Sequence, residues 1–155
     1  MAAPEASRLS VILMPMPPRR VLLKAGGAAV LGMAARLSGA SAGRLPSGTL
    51  SSAQAKVTHE PFGDLAIYFS GPTDQVQSMT AGSLRLKPGM SPHPPHQHPE
   101  EEFMVITEGS GEILCDGKTV KVTPGAMMYC AANKLHGIVN TGKTPLLFYF
   151  YKWKA

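Results

Sequence analysis

From about Thr58 onward, apolar or alternating runs of four to eight residues recur, each bounded by Gly, Pro, Asp or Asn. None of these runs has the 3.6-residue period of a helix. The pattern predicts strands over Leu65–Phe69, Gln77–Leu86, Phe103–Thr107, Gly111–Cys115, Lys118–Val122, Ala126–Cys130, His136–Asn140 and Leu146–Lys152. The turns between them are readable as well: Asp116-Gly117 is a tight hairpin signal, and Pro124-Gly125 and Thr141-Gly142-Lys143 are further turns. Eight short strands at this spacing predict an all-β, closed or double-sheet domain such as a jelly roll. A polar linker over 43–57 precedes it, so the barrel domain is expected over 58–155.

The segment before the linker has a different character. Arg19-Arg20-Val21-Leu22-Leu23-Lys24 leads into an apolar stretch from Ala25 to Ala35 and then to Ala40-Ser41-Ala42. A basic start, a short apolar middle and small residues at the end are the layout of an export signal. The apolar stretch is 11 residues, against the roughly 20 that span a bilayer, so no stable membrane span is expected. The paired arginines resemble the twin-arginine signal, although Leu stands where that signal prefers Phe; an ordinary secretory signal is the alternative reading. Residues 1–42 are therefore read as a leader cleaved after Ala42, with Met14 and Met16 as alternative starts and a periplasmic or secreted destination.

Charge changes the picture once it is divided at this boundary. The whole chain carries a formal +5, but five of its fifteen basic residues and one of its ten acids precede Gly43. The remainder has ten basic and nine acidic residues, a net +1 without a Lys/Arg stripe. Nucleic acid is thereby excluded as a partner.

Four of the five histidines fall in two places: His93, His96 and His98 within S-P-H-P-P-H-Q-H-P-E-E-E, and His136 within N-K-L-H-G-I-V-N. Side chains two apart on a strand share a face, so His96 and His98 are expected to aim both imidazoles at one point. Glu102, four residues beyond His98, would lie roughly 13 Å away on a straight strand, too far to share an ion. A turn at Pro99 is expected to end that strand and bring Glu102 alongside. His136, 34 residues further on, closes the set. Three neutral imidazoles and one carboxylate suit divalent Fe, Mn, Co, Ni, Cu or Zn, and a six-coordinate ion would keep two positions open.

These stretches resemble the two cupin motifs. His96, one residue, His98, three residues, Glu102, six residues and Gly109 match the first motif; Pro124, Gly125, His136, three residues and Asn140 resemble the second. The departures are Gly89, one residue further from the first His than usual, the adjacency of Pro124 and Gly125, and Ala131 where a proline often stands. They touch loops and spare the ligand positions. The resemblance implies a small single-domain cupin of the type-2 conserved-barrel kind. Its fold would be a jelly-roll β-barrel, also called a double-stranded β-helix, over about Thr58 to Trp153, with the metal in its mouth. It implies His96, His98, Glu102 and His136 as metal ligands, and Glu102 has a second conceivable role as a base towards substrate.

The remaining chemistry-bearing residues have plainer readings. His93 is a loop histidine, with a further ligand or proton shuttle as the alternative. His59 is read as a surface residue, and Glu100 and Glu101 as a solvated rim. Cys115 and Cys130 are read as small buried hydrophobes, with a disulfide as the alternative after export. Met79, Met90, Met104, Met127 and Met128 are read as core filling rather than soft metal contacts. The tail L-L-F-Y-F-Y-K-W over 146–153 carries aromatics on both faces of one strand, and its outward face is a candidate homodimer surface. Three functions fit: a metal-dependent, quercetinase-like oxygenase acting on a small organic substrate; a non-redox isomerase, lyase or decarboxylase; and a metal- or ligand-binding protein without turnover. The first is favoured; twin-arginine export, which delivers a folded protein with its metal in place, weighs for the first and the third over the second.

Overall fold

A computed structural model describes residues 43–155; the leader expected over 1–42, with Arg19 and Arg20, lies outside the described residues. The described residues form one 3-10 turn, Ser52–Gln54, and nine strands: β1 Lys56–Glu60, β2 Gly63–Gly71, β3 Ser78–Leu86, β4 Glu101–Glu108, β5 Gly111–Cys115, β6 Lys118–Val122, β7 Met127–Cys130, β8 His136–Val139 and β9 Leu146–Lys154. All pairings between them are antiparallel, in one sheet of order β1-β2-β3-β9-β4-β7 and another of order β6-β5-β8. The result is the all-β jelly roll that the spacing of strands and turns predicts. No helix among the described residues is long and apolar enough to cross a membrane.

Alternation along the strands decides what faces the interior. On β9, Leu146, Phe148 and Phe150 are buried, and on β4 so are Glu102, Met104 and Ile106. Leu84 and Leu86 of β3 join them in one contiguous core that also takes Ile113 and Ile138 from the smaller sheet. The opposite faces of β4, β7 and β9 present Phe103, Tyr129 and Trp153, with the Phe103 ring stacked on Trp153 at 5.7 Å and tilted against Tyr129 at 5.1 Å. Asp116 and Gly117 both take positive φ, 47° and 80°, the conformation that lets a two-residue hairpin follow the twist of β5 and β6.

Two expectations about strands are corrected. β1 is an additional strand that begins within the expected linker. Lys56 to His59 are exposed and Glu60 is only half-buried, so its alternation leaves no apolar face to betray it. Conversely, the stretch carrying His96 and His98 is not a strand. His96 makes only an isolated bridge to His136, its N–H donating to the His136 carbonyl at 2.9 Å and the reverse bond measuring 3.0 Å. Pro92, Pro94, Pro95 and Pro99 flank it and have no N–H to extend a ladder.

Asn140 holds the opposite end of the barrel together. Fully buried, it donates from Nδ2 to the carbonyls of Leu86 at 3.0 Å and Thr144 at 2.9 Å, and its Oδ1 accepts the Gly142 N–H at 2.9 Å. One side chain thus joins the end of β3 to the β8–β9 turn. Asn140→Ala would strand these backbone groups, and the expected loss is about 3 kcal/mol of unfolding free energy. Urea denaturation measures it; an unchanged midpoint would contradict this role.

Candidate metal centre

His136 opens β8 and Glu102 is the second residue of β4, so both side chains are fixed by strand pairing and are almost fully buried. His96 is anchored by its bridge to His136, and His98 by its carbonyl, which accepts the Asn133 N–H at 2.8 Å. The ligand atoms of His96, His98 and His136 lie within 4.8 Å of one another, close enough to hold one metal ion. Glu102 Oε2 sits beside two of them, 3.1 Å from His98 Nε2 and 3.0 Å from His136 Nε2. The turn at Pro99 therefore does bring Glu102 to the histidines, although the segment before it is a loop.

The rings are oriented from behind. His136 Nδ1 is 2.8 Å from the Lys134 carbonyl, and His98 Nδ1 is 3.1 Å from the Glu100 carbonyl and 3.2 Å from the Glu100 carboxylate. These neighbours only accept, so both Nδ1 atoms carry hydrogen and donate. In the neutral rings, each Nε2 then turns a lone pair towards Glu102 Oε2, itself an acceptor. Three acceptors converging without a donor need a positive charge among them, from protons or from a cation. Adjacent ligands about 2.1 Å from an ion at right angles are about 3.0 Å apart, which matches the two distances to Glu102. His96 Nδ1 adds a buried nitrogen with no hydrogen-bond partner. The residues fit a divalent transition ion.

Electrostatics agree. Burial alone would push the Glu102 carboxyl up, but the hydrogen bonds with His136 and His98 outweigh it and hold the group below its ordinary range. The Glu102 bond is also the main reason that His136 holds its proton more tightly than a free imidazole, against the opposing effect of burial. His96 is shifted the other way, by burial first and then by the neighbouring His93, His136 and His98. It is neutral at pH 7, as a ligand must be.

The other candidates separate cleanly. His93 is exposed, stacks edge-on against His96 at 4.0 Å and lines the cavity, but lies outside the three-histidine cluster. His59 pairs with Asp64 at 2.8 Å on the surface. Cys115 and Cys130 are free thiols, and burial pushes Cys130 up to about 12, with Cys115 beside it adding to the effect. Glu100 is half-buried and helps orient His98, so it is more than rim; the turn at Pro99 that folds Glu100 back under the ring was the signal for it. Glu101 accepts the Tyr129 hydroxyl at 2.8 Å on the outer face. In front of the donors lies a cavity of about 220 Å³, walled mainly by Phe62, Leu65, Leu84, Ile138, Phe148 and Phe150 and also reached by Lys152. Lys152 had no part in the sequence-based site.

These directions set a pH dependence for protein stripped of any ion by a chelator. Glu102, lowered when folded, stabilises the fold above 4.5, its value without these partners, and loses that contribution as pH falls through its folded value. His136, raised when folded, contributes fully below 6.5 and loses it as pH rises through its folded value. The pair therefore stabilises the chelated protein most between pH 4.5 and 6.5. Melting temperatures measured across pH should show that maximum, and Glu102→Gln should flatten it; a profile that the substitution leaves unchanged would contradict the coupling.

Comparison with known proteins bears on the fold. The family described as Cupin domain matches residues 82–151. No curated protein matches the chain. Among solved structures, KdgF from Halomonas sp. superposes with a TM-score of 0.58 at 17% identity, covering 71% of this chain and 96% of its own. An RmlC-like cupin from Shewanella frigidimarina gives 0.57 at 15% identity, covering 71% and 93%. A predicted oxalate decarboxylase from Thermotoga maritima gives 0.57 at 21% identity, covering 70% and 100%. At these identities the likeness is one of fold. The Cupin-domain match lies within the same barrel, from β3 to β9.

Proposed function

We propose that this chain is an exported, metal-dependent oxygenase of the quercetinase-like kind, acting on a compact organic substrate, with His96, His98, Glu102 and His136 as the metal ligands. The observation that carries the reading is the open side of this donor set, which faces an apolar cavity of about 220 Å³. Three imidazoles and one carboxylate suit a redox-active divalent metal, and an apolar cavity suits both dioxygen and a small electron-rich molecule. The volume falls below the roughly 300–1,000 Å³ of pockets for drug-sized ligands, so the substrate is small. Export through the twin-arginine-like leader over 1–42 and a homodimer built on the Phe103, Tyr129 and Trp153 face belong to the same proposal.

A bound divalent ion would supply Lewis-acid charge and, if redox-active, one-electron chemistry. The chain supplies the rest. Lys134 and Glu100 lock the His136 and His98 rings so that Nε2 faces the centre. Among the described residues, Glu102 Oε1 has no hydrogen-bond partner, Oε2 taking both imidazoles; Oε1 is the atom placed to accept a substrate proton. Phe148, Phe150 and Leu84 line the reacting space with apolar surface.

The test is oxygen uptake by metal-loaded protein over a panel of compact enediols, 1,2-diphenols and β-dicarbonyls. Uptake matched to substrate loss, and reduced at least roughly 100-fold by His98→Ala, is expected. Substrate loss without oxygen uptake would overturn the oxygenase in favour of an isomerase, lyase or decarboxylase, a class that includes the activity predicted for the Thermotoga maritima neighbour.

A further inference from the structure

The inward row of β9 runs Leu146, Phe148, Phe150 and then Lys152: three buried apolar side chains followed by an ammonium. Register fixes the direction. Lys152 stands directly opposite Glu102 on β4 and opposite Thr80 on β3, and residues opposite one another in antiparallel strands share a face of the sheet. Lys152 is half-buried, whereas every other described lysine is exposed, and it lines the same cavity as Leu84, Phe148 and Phe150.

An ammonium withdrawn from water needs a counter-charge. Among the described residues, no carboxylate lies within ion-pair distance of Lys152. Glu102, the acid facing it across the strand pair, is engaged by His98 and His136. Among the described residues the ammonium is therefore left without a carboxylate partner, on the wall of a largely apolar cavity beside the candidate metal centre. The other lysine of β9 shows the contrast: Lys154, two residues on, is already at the exposed end of the strand.

We infer that Lys152 determines substrate specificity by receiving the negative group, a carboxylate or phenolate, of a compact and otherwise apolar organic molecule held in this cavity. The inference rests on the proposed function only in seating the substrate here; it does not depend on oxygen chemistry or on which ion is bound. Lys152 grips one end of the molecule while its apolar body lies against Phe148, Phe150 and Leu84. A neutral isostere would fill the same space and leave the ammonium unpaired, which is the strongest form of discrimination such a site offers.

Calorimetric titration of metal-loaded protein with benzoate and with its neutral counterpart benzamide tests this. Benzoate should bind at least about tenfold more tightly. Lys152→Met should abolish that preference, Lys152→Arg should retain it, and both variants should melt as the wild type does. The same preference should persist in a His96→Ala, His98→Ala protein without the ion. Equal affinities, no binding of either compound, or a preference that survives Lys152→Met would overturn the inference, and a preference that disappears with the ion would assign the anion to the metal instead. Loss of the oxygenase reading would leave these affinities unchanged, so the two failures are distinguishable.

Discussion

The arrangement depends on the burial of one carboxylate oxygen between two imidazoles whose rings are already turned by other acceptors. Glu102 Oε2 is about 3 Å from both His98 Nε2 and His136 Nε2, while the Nδ1 atoms of both rings are committed to carbonyl oxygens of Glu100 and Lys134. A buried cluster of acceptors is costly unless positive charge sits among them. That requirement explains why the carboxyl is held low, why His136 is held high, and why the same atoms suit a divalent ion. It also explains why the least exposed histidine, His136, starts a strand: a partly mobile ring could not keep its lone pair on target.

The barrel meets this requirement by dividing the work between strands and a rigid loop. β4 and β8 place Glu102 and His136 by backbone pairing. His96 and His98 come from a proline-rich segment that cannot form a ladder, so two reciprocal backbone bonds to His136 and one from Asn133 hold it instead. The prolines remove hydrogen-bond donors and also remove conformational freedom, which keeps such a segment ordered with few bonds. At the other end, Asn140 ties β3 to the β8–β9 turn, and the motif glycine Gly109, at φ 76°, has the Pro145 carbonyl oxygen against the place a Cβ would take.

Much of this was legible in the sequence, because the information lay in alternation and spacing. Gly111–Cys115 and Lys118–Val122 are separated by Asp116-Gly117 and followed by Pro124-Gly125, and the strands fall where those signals put them. The convergence of His96, His98 and His136, with Glu102 beside them, followed from their separations together with the turn at Pro99. Three things were hidden. β1 is an edge strand without an apolar face. The strand expected through His96 and His98 assumed that ligands two apart need a ladder, when a proline-stiffened loop places them equally well. Lys152 lay in plain view in L-L-F-Y-F-Y-K-W, but its meaning required knowing which face of that strand turns inward, and only the register with Glu102 supplies that.

The central claim, that His96, His98, Glu102 and His136 form one site for a divalent transition ion, is tested most directly by elemental analysis of the protein purified from its native host. The account predicts one such ion per chain, absent from a His96→Ala, His98→Ala variant that still folds. A wild-type protein without an ion, or an ion that survives the double substitution, would contradict it.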